Sequence, residues 1–127
     1  MKIHLKIITI AILFSFSANA NSTISFSKYN SQNIKSEFKS AFSDLQKFSE
    51  IENLNSTDLP LVVSALEAWI LIDTQDKARS AAQILAGSYD KNKKIYKEAF
   101  KKLKKDQKKK IQELFEILEQ LNQSAQG

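Results

Sequence analysis

Over most of the stretch from Ser31 to Leu121, apolar residues return every three or four positions, and the stretch holds one proline, Pro60, and one glycine, Gly87. That spacing is the period of an α-helix with one buried face. So few chain breakers leave little room for the turns of a sheet protein. The pattern predicts an all-α fold: a small antiparallel helical bundle of four to five helices. Short connections at 55–58 and 87–90 favour antiparallel neighbours.

The helices follow from the stripes. Ile34, Phe38, Ala41, Phe42, Leu45, Phe48, Ile51 and Leu54 put one amphipathic helix over 31–54. Asn55-Ser56-Thr57-Asp58 ends it and caps the next, with Pro60 in the first turn, where a missing N–H costs nothing. The run from Leu61 to Ile72 is apolar nearly all round and predicts a central helix with Trp69 as a core anchor. Ala78, Ala81, Ala82 and Leu85 make a stripe of mostly small residues, with Gly87 as its expected stop. Two further stripes, Ile95 to Leu103 and Ile111 to Leu121, frame a gap without apolar residues. With no Gly or Pro in the gap, the reading favours one helix over about 91–122, against two meeting near Asp106.

The N-terminus reads differently. Lys2 and Lys6 precede the apolar run Ile7 to Phe14, and Ala18-Asn19-Ala20 follows. This is the pattern of a secretory signal peptide cleaved after Ala20. The organisation expected is a signal peptide at 1–20, a flexible polar arm at 21–30 and the helical bundle at 31–123. The location implied is the periplasm or the outside of the cell.

Composition then removes function classes. The only histidine is His4 and there is no cysteine, so residues 21–127 have neither. Zinc held by imidazole or thiolate, histidine acid–base catalysis and cysteine nucleophiles fall away. Two glycines, Gly87 and Gly127, build no phosphate-binding loop. No cofactor and no catalytic residue is expected. Glu113, Glu116 and Glu119 recur every three residues as an exposed line rather than a paired acid site.

What remains is charge. Residues 90–110 carry eleven Lys against Asp90, Glu98 and Asp106. On a continuous helix Lys101, Lys104, Lys105 and Lys108 share a broad face, which Lys94 and Lys97 extend. These six are the candidate partner-binding residues. The alternative is a solvated face that only keeps the chain soluble. An acidic protein partner is the expected use, with an anionic membrane surface second. Export argues against nucleic acid. The oligomeric state is left open. Tyr89 and Tyr96 flank the basic segment and either edge a binding surface or send their hydroxyls to solvent. An exported non-enzymatic protein-binding module fits these features, one form being an immunity-type neutraliser of a secreted toxin.

Leu103-Lys104-Lys105-Asp106-Gln107 resembles the Leu-Thr-x-x-Gln motif of the Spy/CpxP periplasmic helical chaperones. Lys104 stands where that family has Thr, and no second copy of the motif occurs. The resemblance implies a chaperone-like helper as the alternative function.

Overall fold

The computed structural model describes residues 24–126. It is an all-helical bundle with five α-helices: α1 (Phe38–Ser49), α2 (Leu59–Asp73), α3 (Ser80–Lys91), α4 (Lys93–Lys101) and α5 (Lys105–Gln126). A short 3₁₀ turn, Ser56–Asp58, leads into α2. The signal-peptide reading of residues 1–20 lies outside the described residues.

Helix α2 is central and packs against each of the other four. Val62, Ala65, Leu66, Ala68, Trp69 and Ile72 are all buried. Its start is written locally. Asn55 Oδ1 accepts the Thr57 N–H at 3.1 Å, and Asp58 Oδ2 accepts the Asn55 N–H at 3.0 Å, so two otherwise unpaired donors are satisfied reciprocally. Pro60 occupies the first turn, as expected. Trp69 is 1 % exposed, a core anchor. Its Nε1–H finds no acceptor among the described residues.

The first helix is shorter than its stripe. Asn30 Oδ1 accepts the Gln32 and Asn33 N–H groups, each at 2.9 Å, and Asn33 Nδ2 donates to the Lys28 carbonyl at 2.8 Å. With the Asn30 N–H donating to Asn33 Oδ1 at 2.9 Å, this is a reciprocal cap of the kind that starts a helix. Residues 31–37 nonetheless form turns, and regular helix begins at Phe38. At the other end, Ile51 N–H closes a tight i→i−3 bond onto Phe48 at 3.1 Å, and the chain leaves the helix.

The expected flexible arm at 21–30 does not hold for its described part. Phe26 and Tyr29 are buried. The Phe26 ring meets Phe48 edge-on at 6.2 Å, and Tyr29 donates to Asp44 Oδ2 at 2.6 Å. The backbone of residues 24–30 is irregular, yet Phe26 and Tyr29 belong to the core while the polar residues around them stay exposed.

Gly87 does not stop a helix. It lies inside α3 with no positive φ, and nothing occupies the space where a Cβ would sit. The break comes five residues later, at Asn92. Helix α3 begins instead with an unusual device. Arg79 is left-handed at φ 58°, and the buried Asp76 accepts the Ala81 N–H at 2.7 Å and the Ser80 hydroxyl at 3.0 Å.

The single helix favoured over 91–122 is two. Lys102 and Leu103 N–H groups bond back to Ala99 and Phe100 at 3.0 and 3.1 Å, which tightens and ends α4. Gln107 Oε1 then accepts the Lys104 N–H at 3.0 Å and opens α5. The turn buries Leu103 at 6 % exposure together with Ile111, Leu114 and Leu118 on α5. A straight helix would have to carry both stripes across a gap of polar residues; the turn buries both without burying a lysine.

Candidate functional site

The basic segment is built around that turn. Lys94, Lys97 and Lys101 recur at the spacing of one helical face on α4 and are all exposed. Lys104 lies in the turn and Lys105 opens α5, both exposed. Lys108 is half-buried, with its Nζ 5.9 Å from the centre of the Phe100 ring. The six candidate lysines thus do not share one continuous helical face. The break at Lys102–Lys104 divides them between two helices, and Lys108 reaches back across it to Phe100.

Three lysines outside the candidate set adjoin it, Lys102 in the turn and Lys109 and Lys110 on α5, all exposed. Reasoning on a continuous helix placed them off the face, although their density in the sequence was the signal. From Lys101 to Lys110 there are seven lysines and one acid, Asp106. Among the described residues, Lys101 alone of the seven has a carboxylate within salt-bridge distance, Glu98 at 3.6 Å. The start of α5 is also the positive end of its helix dipole, where Lys104 and Lys105 are disfavoured, whereas Lys101 and Lys102 stand at the C-terminal end of α4, where cations are favoured.

Two shallow sites flank α4. One, of about 340 Å³, lies between α4 and α5, with Tyr89, Phe100 and Phe115 on its floor and Lys97 at its edge. One of its two carboxylates, Glu119, is already engaged. Glu119 accepts from the Tyr89 hydroxyl at 2.7 Å and from Lys93 at 3.4 Å. The Tyr89 hydrogen bond, with help from Lys93, holds the Glu119 carboxyl below its ordinary range. The other site, of about 480 Å³, lies between the 54–59 connection and the first turn of α4. Leu54, Leu59 and Ile95 line its floor, and Lys91, Lys93 and Lys94 its rim.

Tyr89 and Tyr96 are neither a binding edge nor solvent-facing. Their rings are 1 % and 0 % exposed and meet edge-on at 5.4 Å. Burial, and for Tyr89 the bond to Glu119, pushes both phenols well above their ordinary value of 10.0. They continue a line of aromatic contacts from Phe48 through Phe115 to Phe100.

Among the described residues no group of three or more Asp, Glu, His or Cys converges to hold a metal ion. No helix among them is long and apolar enough to cross a membrane. The five residues that resemble the Spy/CpxP motif span the end of the turn and the start of α5, with Leu103 buried and Gln107 capping α5. Across known proteins, no family model, no curated protein and no solved structure matches this chain.

Proposed function

We propose that the chain is an exported, non-enzymatic module that binds an acidic protein partner through the lysine-rich turn between α4 and α5. One observation carries the reading. Seven of the ten residues from Lys101 to Lys110 are lysines against one acid, Asp106, and of the seven only Lys101 has a carboxylate within salt-bridge distance among the described residues. Clustered like charges repel, and an acidic surface relieves that repulsion while steering encounter. Neutralisation of a secreted toxin, one to one, is the form that best suits a small basic module without catalytic groups.

A second reading is favoured by Phe100, half-buried at the edge of the basic turn. An aromatic beside lysines suits an anionic membrane surface.

The test is a pull-down from the native envelope with the chain and with Lys101, Lys104, Lys105 and Lys108 all changed to Gln. An acidic partner that is retained by the parent, lost by the variant and released by salt supports the reading. Equal recovery by both overturns it. Loss of sedimentation with anionic vesicles, without loss of a protein partner, selects the membrane reading. Mass spectrometry of the envelope protein tests export: an N-terminus at Asn21 supports it, and an intact Met1 contradicts it.

A further inference from the structure

The second groove has a chemistry that the lysine turn lacks. Its floor is apolar, from Leu54, Leu59 and Ile95, and its rim is cationic. Its walls are fixed. The Leu54 N–H donates to Asn92 Oδ1 at 3.1 Å, which ties the connection to the start of α4. Asn92 is itself 9 % exposed, and its Nδ2 donates to the Ser88 carbonyl at 2.9 Å. The reciprocal bonds of Asn55 and Asp58 hold the next turn. A groove held this way needs little reordering to bind.

The rim charges are not equivalent. Lys93 is held by Glu119 at 3.4 Å and Asp90 at 3.9 Å. Glu98, the one carboxylate on the rim, is paired with Lys101 at 3.6 Å. Lys91 and Lys94 are exposed and have no carboxylate within salt-bridge distance among the described residues. The groove therefore offers two free cations above an apolar floor. At about 480 Å³ it falls in the size range of binding sites, roughly 300–1,000 Å³.

We infer that this groove docks a short segment of the acidic partner in which two carboxylates bracket a leucine-like side chain. The apolar side chain sits on Leu54, Leu59 and Ile95, and the carboxylates meet Lys91 and Lys94. The inference rests on the acidic-partner reading above and adds to it a second, apolar anchor. The lysine turn then serves attraction at a distance, and the groove serves recognition at contact.

The experiment is an NMR titration of the ¹⁵N-labelled chain with the peptide acetyl-Gly-Glu-Leu-Glu-Gly-amide, and with the same peptide carrying Gln for both Glu. Saturable shifts confined to Asn55, Ser56, Lys94 and Ile95 are expected from the Glu peptide. The Gln peptide, or a chain with Lys91→Glu and Lys94→Glu, should bind about three- to tenfold more weakly, as for two exposed ion pairs. Both lysines are exposed, so the double variant keeps its fold. Equal binding of the two peptides overturns the inference. So does a stronger response of the same amides to decanoate, which would make the site one for lipid anions. Shifts at residues 101–110 with the groove unmoved overturn the groove alone and leave the acidic-partner reading standing. No saturable shift anywhere removes the inference, and the envelope pull-down then decides the broader reading by itself.

Discussion

The chain interrupts its helices twice between Ser80 and Gln126, and the two breaks are built in different ways. At Asn92 one buried residue does everything. Its N–H bonds the Ser88 and Tyr89 carbonyls at 3.0 and 3.1 Å, its Nδ2 donates to Ser88, and its Oδ1 accepts the Leu54 N–H. At Lys102–Lys104 the turn depends on burying Leu103 and on a Gln107 cap, and all its other side chains are solvated lysines. The first break is specified by one side-chain amide that accepts from Leu54 and donates to Ser88 at once. The second would form with many residues in place of its lysines. Folding thus explains Asn92 and leaves the lysines unexplained, which is why function is sought there.

The largest effect belongs to the helix on which both breaks rest. Truncation of Trp69 to Ala should cost about 3–5 kcal/mol in a denaturant melt, the range for a large buried aromatic. Trp69→Phe should cost much less, because it also removes an indole N–H that has no acceptor among the described residues. Equal losses from both would show that the indole nitrogen is satisfied.

Next is the Asn92 break itself. Asn92→Ala strands the Leu54 N–H and should cost about 1–3 kcal/mol. Gln107→Ala removes the cap on the Lys104 N–H and a bond from its Nε2 to Glu67 Oε2 at 3.2 Å, and should cost about 0.5–1.5 kcal/mol. Urea melts of the two variants rank the breaks; a reversed order would sink the comparison.

Alkali should act on the Asn92 side first. Tyr96 donates to Ser88 Oγ at 2.8 Å, and Ser88 also accepts from Asn92. Tyr29, Tyr89 and Tyr96 all have phenols raised above 10.0, chiefly by burial. The folded chain then keeps protons that the unfolded chain releases. The stability from these groups is complete below pH 10 and is lost as pH rises beyond it. Denaturant midpoints from pH 7 to 11 should hold steady and then fall above about pH 10, and Tyr89→Phe should soften the fall.

Gly87 gives a smaller effect of opposite sign. Since it is helical with open space at its Cβ, Gly87→Ala should stabilise by about 0.5–1 kcal/mol. A loss would mean that the position needs its glycine.

The legible parts of the fold were those in which one strong local signal acted alone. The apolar run at Leu61–Ile72 with Pro60 before it specified α2, and Trp69 followed. The reading failed at 31–37, which form turns although the stripe continues through Ile34 and Asn30 and Asn33 cap one another there. It failed again where a glycine was taken for a stop and an asparagine was the real one. The lysine cluster was legible as a cluster but not as a turn. Its capping signal is Gln107, a residue that also fits helix interiors. The burial of Phe26 and Tyr29 depends on Phe48 and Asp44, which lie more than a dozen residues away, and no local pattern carries that.

The central claim is that the lysines of the second break have no part in folding. The direct measurement is a urea melt of the chain with Lys101, Lys104, Lys105 and Lys108 changed to Gln, at low salt and at 0.5 M salt. The account predicts a change within about 0.5 kcal/mol, as for surface positions. At low salt the variant should be slightly the more stable, because like charges are removed, and the two chains should converge as salt screens them. A loss of more than about 1 kcal/mol at either salt would contradict the account and return those lysines to the fold.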